Sequence, residues 1–448
     1  MALAAAPGPR FALPWTTLRR MRRDPLGLLE DVAGYGPVAR VRIGQQDVFV
    51  LSDPAGIEDV LVTNAASFHK GRALERARQT LGDGLLTSEG AAHLRQRRLV
   101  QPAFHKARVA GYAEAMTRAA HATREHWRAG APLELAGEMN RLTLAIVSDT
   151  LFGAQVGGDS DTARVRQAIT DVMEMFDLVM VPFADWLIHL PLPRMRRYLA
   201  AQRALDQVIY GIIAARRASG EDRGDLLSML LAAQDTEGAS GGMTDRQLRD
   251  EVITLFLAGH ETTANALTWT WVLLARHPEA ERHLHAEIDS VLGDRVPSSA
   301  DVSRLTYTRA VVAESMRLYP PAWTMGRRAV TDYHWAGCEM PAGSLVLMSQ
   351  WIVHRDARLW PDPARFDPAR WLPEPPPRPR FAYFPFGAGN RVCVGESFAW
   401  TEAVLVLATI AQRWRLRLDP LHPIEPQPLI TLRTRYGVRA TPDARIRG

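Results

Sequence analysis

Cys393 sits near the end of FGAGNRVCVG, Phe386 to Gly395, with Gly387, Gly389 and Gly395 around it and Arg391 two residues before it. Gly387 and Gly389 permit turns that side chains forbid, so the backbone can come close to a flat partner. Gly395 removes a side chain where the next stretch, ESFAWTEAVLVLATIAQRW, begins to read as a helix. The first amides of that helix would point toward the sulfur and favour negative charge there. A thiolate so placed is a strong electron donor, and on haem iron it favours O–O cleavage. A lone cysteine is otherwise a small buried hydrophobe, so the rest of the chain must decide between the two.

Three other groupings carry residue types suited to chemistry. His93 and Arg97 stand four apart in GAAHLRQRRLVQPAF and share a helix face, where two cationic donors can hold a pair of carboxylates such as the propionates of haem. Alone, such a pair reads as a solvated surface. Ala258, Gly259, His260, Glu261, Thr262 and Thr263 lie inside a long helical pattern. There a glycine costs about 1 kcal/mol relative to alanine, and a buried carboxylate costs more. Functional sites tolerate such violations; a threonine bonded to a carbonyl one turn back is the structural alternative. Glu314 and Arg317 stand three apart in TRAVVAESMRLYPP, and Pro320 ends that helix.

The elements that must position these groups are mostly helical. Thr244 and Gln247 form a capping box, and helical pattern continues to Arg276, where His277 and Pro278 end it. At 1.5 Å per residue this helix is about 48 Å long and must run through the core. PVARVRIGQQDVFVLSDP alternates apolar residues around Gly44 and reads as a β-hairpin. Ala55 to Thr63 reads as a helix capped by Asp53, with Pro54 in its first turn. Phe68 to Glu89 reads as a polar, glycine-broken loop carrying Arg72, Arg76 and Arg78. GRRAVTDYHWAGCEMPAGSLVLMSQW reads as short strands with a structural Cys338, and PEPPPRPR as an extended segment. The expected fold class is mainly α with small β-sheets, a single domain over 1–448 with a flexible start at 1–20.

Phe386, Gly389, Arg391, Cys393 and Gly395 match, position for position, the haem-binding signature of the cytochrome P450 family, and the chain resembles that family over most of its length. The resemblance implies a soluble, bacterial-type haem-thiolate monooxygenase containing haem b, with Cys393 on the iron and Phe386 and Gly387 in its loop. It implies that His93, Arg97, Arg327 and Arg391 hold the propionates. Ala258 and Gly259 would form the oxygen groove, Thr262 would hydrogen-bond the bound oxygen, and Glu261 would relay protons. Glu314, Arg317 and Arg365, the last from PARF, would form a buried network supporting the haem loop. The family's pattern puts Leu255, Ala322, Trp323, Thr324, Met325, Ile430 and Thr431 around the substrate. By its place in the chain, MEMFDLVMVPFADWLIHLPLP resembles the helix pair that roofs the pocket, and the Phe68–Glu89 loop resembles the one that closes over substrate.

The pocket residues are mostly apolar, which suggests a hydrophobic small molecule, a terpenoid or polyketide first and a fatty acid anchored by Arg72 or Arg76 second. With 47% hydrophobic and 23% charged residues, the composition is that of a globular protein with a large core. The net charge is +5 and Lys70 and Lys106 are the sole lysines, an arginine bias that codon usage explains as well as an acidic partner does. Interleaved aromatic and basic patches are absent, which argues against nucleic acid. No run approaches the roughly 20 apolar residues of a membrane anchor. The chain contains no flavin or iron–sulfur sequence, so electrons are expected from a ferredoxin and its reductase docking near Arg95, Arg98 and Lys106. A cytoplasmic monomer is expected. A peroxide-using or non-oxidative haem-thiolate enzyme and a haem-based sensor are the rivals, and the intact Glu261–Thr262 pair argues against both.

Overall fold

The computed structural model describes residues 6–9, 14–43, 46–153, 193–234, 241–373 and 377–445. The hairpin turn at Gly44, part of PEPPPRPR and all but Pro193 of the stretch expected to roof the pocket lie outside those residues.

A 32-residue helix, Asp245–Arg276, is the axis of the molecule. Its start is fixed as the sequence requires: Thr244 Oγ1 accepts from the Gln247 amide at 3.3 Å, and Gln247 Oε1 accepts from the Thr244 amide at 2.9 Å. Helices Leu135–Phe152, Pro193–Ser219, Thr306–Leu318 and Glu396–Ala411 all pack on it. Burial along it runs unbroken from Leu248 to Phe256 and again from Thr263 to Leu274. The interval Leu257–Thr262 is the only part of that span left open.

Beside the helices lies a five-stranded sheet of β1 (Val38–Ile43), β2 (Gln46–Leu51), β3 (Phe68–Lys70), β4 (Met325–Ala329) and β5 (Leu345–Met348), in the order β1-β2-β5-β4-β3. All its pairs are antiparallel except β2 with β5. The β3–β4 register sets Lys70 opposite Arg327, two cations side by side at one sheet edge.

Two segments differ from the sequence reading. Pro14–Arg23 is a helix with Thr17 buried, inside the stretch expected to be flexible. Phe68–Glu89 is not a loop throughout: β3 leads into helix Arg72–Leu81, which Gly82 ends at φ 73°. Tertiary contacts stabilise that helix, because Ala77, Thr80 and Leu81 are buried and Thr80 is hydrogen-bonded to Tyr198.

Candidate functional site

The Cys393 loop is shaped by backbone. Gly387 and Gly389 have φ of 71° and 69°. A Cβ on Gly389 would stand 2.1 Å from the Leu61 carbonyl oxygen, so no other residue fits there. The Cys393 amide donates to the Phe386 carbonyl at 2.9 Å, and the Phe386 ring packs 5.8 Å from that of Trp400. Burial pushes the Cys393 thiol up to about 11, opposed by the Gly395 amide and the charge of Arg97. The Cys393 side chain keeps accessible surface although much protein surrounds it. A thiol kept protonated by burial is deprotonated when it ligates a metal.

Cations gather near this loop. Arg97 donates to the Val392 carbonyl at 2.7 Å. Arg391 donates to the Phe68 carbonyl at 3.3 Å and pairs with Glu89, whose other oxygen accepts the Lys70 amide. His93 is buried and lowered to about 4 by desolvation, then by the charges of Lys70, Arg391, Arg97 and Arg327. Desolvation, with Arg391 beside it, lowers Arg327 to about 10. Lys70 is lowered to about 7 by desolvation, although Glu89 opposes the shift. Its Nζ donates to the carbonyls of Leu85 and Ser88 at 2.9 and 2.6 Å. Such a group of partly buried like charges calls for anions.

On the central helix, Ala258 and Thr262 lie in the open interval. Thr262 Oγ1 donates to the Ala258 carbonyl at 2.7 Å. Glu261 Oε1 accepts from Thr431 Oγ1 at 2.6 Å. Gly259 also has a packing role, because a Cβ there would come within 3.1 Å of Val147 on the neighbouring helix.

The sequence matches the Cytochrome P450 family over residues 16–437. The chain belongs to the cytochrome P450 family. Among its relatives are "Cyclooctatin synthase" from Streptomyces melanosporofaciens, 43% identical over 95% of this chain and 92% of that one, and "Pentalenene oxygenase" from Streptomyces avermitilis, 36% identical over 92% and 91%. "Cyclooctat-9-en-7-ol 5-monooxygenase", also from S. melanosporofaciens, is 37% identical over 94% and 93%. The crystal structure of the cytochrome P450DA heme domain superposes with a TM-score of 0.89 at 26% identity, covering 100% of this chain and 99% of that one. The enzyme is therefore a P450 monooxygenase that works with haem iron, O2, a hydrophobic substrate and redox partners. No helix among the described residues is long and apolar enough to cross a membrane.

Haem fits this P450's donor set: one thiol in a glycine-shaped loop, and near it a cation group that lacks enough acids to neutralise it. Cys393 would take the iron, and His93, Arg97, Arg327 and Arg391 would take the propionates. Lys70, which the sequence pattern does not single out, lies among these cations, and its charge acts on His93. Its being one of two lysines in an arginine-rich chain was the one signal.

Two of the expected assignments are corrected. Glu314 does form a buried network: Arg317 Nε and Nη2 donate to its two oxygens at 2.8 Å each, and the Trp371 indole and Asp367 amide donate at 2.9 and 3.0 Å. The second arginine is Arg370, with Nε 3.3 Å from Glu314, and not Arg365. Arg365 has an exposed side chain and contributes only its carbonyl, which accepts from Arg317 at 3.0 Å. The tetrapeptide Asp-Pro-Ala-Arg occurs twice, ending at 365 and at 370, so spacing alone could not choose. Trp323 is no free pocket wall either. It is buried in the cluster of Leu26, Val50, Trp351 and Leu432, with its indole donating to the Leu429 carbonyl at 2.9 Å. Leu255 and Thr431 are buried, Ala322 and Thr324 half-buried, and Ile430 exposed. Met325 lies against the cysteine loop, its Cε 3.3 Å from where a Gly387 Cβ would be.

Proposed function

We propose that this P450 hydroxylates a cyclic terpenoid, with Cys393 ligating the iron of haem b and with protons supplied through Glu261 and Thr262. Oxygen, two electrons and two protons then give the hydroxylated product and water, the haem supplying the O–O cleavage and C–H oxidation. The observation that carries the reading is the break in burial at Leu257–Thr262. It is the one place on the central helix where an acid and a hydroxyl meet open space. Thr262, held by the Ala258 carbonyl, presents its oxygen there as an acceptor, and Ala258 is small enough to leave room beside it. The relatives' names, built on cyclooctatin, cyclooctat-9-en-7-ol and pentalenene, support a terpenoid substrate. The half-buried Ala322 and Met325 and the exposed Ile430 suit an apolar ring system.

Electrons would come from a ferredoxin and its reductase, docking a cytoplasmic monomer near the exposed Arg98 and Lys106. Arg95 is withdrawn from that patch, since its guanidinium donates to the carbonyls of Gly241 and Gly242 at 3.1 Å each.

The test is a titration of the ferric holoprotein with cyclic terpenes, macrolides and fatty acids, followed by turnover with ferredoxin and reductase. Terpenes should move the visible spectrum from low to high spin and leave a hydroxylated product. A shift with fatty acids alone would overturn the substrate class. Thr262→Ala should raise electron consumption per product, and unchanged coupling would favour a peroxide-using enzyme.

A further inference from the structure

The family's pattern puts Thr431 beside the substrate, but its hydroxyl is committed to Glu261 and Asn265. It donates to Glu261 Oε1 at 2.6 Å and accepts from Asn265 Nδ2 at 3.1 Å. Asn265 is one helical turn beyond Glu261 and is buried, as is Thr431. Because the Asn265 amide nitrogen can only donate, it occupies a lone pair on Thr431 and leaves the hydroxyl proton for the carboxylate. A hydroxyl bonded to a charged acceptor is among the stronger hydrogen bonds available to a side chain.

The backbone around Thr431 is fixed from three directions. The Trp269 indole donates to the Leu432 carbonyl at 3.0 Å, and the Leu432 amide donates to the Pro321 carbonyl at 2.9 Å. The Trp323 indole holds the Leu429 carbonyl at 2.9 Å. Two of these anchors, Trp323 and Pro321, belong to the segment leading into β4, and the third is on the central helix itself. The hydroxyl is therefore presented to Glu261 at a set position, which is what a carboxylate on an open helix face lacks by itself.

We infer that Thr431, oriented by Asn265, is a positioning residue that holds the Glu261 carboxylate for proton delivery, and that it does not set substrate affinity. This rests on Glu261 acting as the proton carrier. The carboxylate has a fixed docking point from which it serves Thr262, so water and protons reach the site through one defined acid and not through a freely rotating one.

The experiment compares Thr431→Val, Thr431→Ser, Glu261→Gln and the Thr431→Val/Glu261→Gln double variant as holoproteins, using the cyclic terpene that gives the largest spin shift. Peroxide relative to product should rise at least about tenfold in Thr431→Val, the low end of the ratio expected for losing one hydrogen bond to a charged group. Thr431→Ser should restore most of it. In the Glu261→Gln background, Thr431→Val should add nothing, since the two act as one unit. The infrared carboxylate band assigned through Glu261→Gln should shift in Thr431→Val and stay in place in Thr431→Ser, while the substrate dissociation constant from the spin shift is unchanged. Unchanged coupling in Thr431→Val alongside a sensitive Glu261→Gln would overturn this inference alone. A loss confined to substrate affinity, or additive effects in the double variant, would also overturn it. An insensitive Glu261→Gln would remove the proton-carrier reading and this inference with it.

Discussion

The two sides of the candidate site are built by different means. Around Cys393 the backbone sets the shape: the Cys393 amide bonds the Phe386 carbonyl within the loop, and Gly387 and Gly389 take positive φ, with the distant Leu61 and Met325 only closing in on the glycines. Around Glu261 the backbone is an ordinary helix. What distinguishes it comes from elsewhere: Thr431 lies 170 residues on, and Gly259 is set by Val147 on another helix. Backbone shape is written locally and admits few substitutes, whereas a side-chain constellation is assembled by the fold and can be adjusted one residue at a time. The cysteine side should accordingly fail all at once, and the helix side by degrees.

The largest effect should come from Gly389→Ala. It needs a positive φ and a side chain where the Leu61 carbonyl already stands, so folded protein should purify without haem, as absorbance of the Soret band would reveal. Normal haem content would mean that the loop is more adaptable than its helix-side counterpart.

The support beneath the loop separates the two look-alike arginines. Arg317→Met strands the buried Glu314 and should cost about 3 to 5 kcal/mol in denaturant unfolding. Arg370→Met should cost less but measurably, while Arg365→Ala should stay within about 0.5 kcal/mol, as exposed sites do. The reverse order for 365 and 370 would refute the network described above.

Glu402 tests the contact between the two sides. It lies on the helix that follows Cys393, is wholly buried without a well-formed hydrogen bond, and is raised by desolvation to about 8, with the Thr263 hydroxyl offsetting only part of that shift. Its folded-state value exceeds its unfolded one, so the folded form binds the extra proton between about pH 4.5 and 8. The stability it contributes is complete below that window and is lost as pH rises through it. Glu402→Gln should therefore flatten the fall in Tm between pH 6 and 8.5, and an unaltered slope would assign that proton elsewhere.

The smallest effect should be at the surface. Arg98→Glu should slow reduction by ferredoxin severalfold at low salt and hardly at all at high salt, because screening shortens the reach of exposed charges. Rates that ignore both the charge and the salt would exclude this patch from docking.

The sequence by itself determined the thiol loop, the length and capping of the central helix, the Glu314–Arg317 pair and the family, because each rests on residues close in the chain or on backbone geometry that few residues permit. Only the tertiary structure decided which Asp-Pro-Ala-Arg completes the buried network, that Arg95 is tied to the carbonyls of Gly241 and Gly242, that Lys70 joins the cations through the β3–β4 register, and that Thr431 bonds Glu261. Those are contacts between segments far apart in sequence. Their partners are chosen by packing, and a hydroxyl or guanidinium carries no mark of which distant group it will meet.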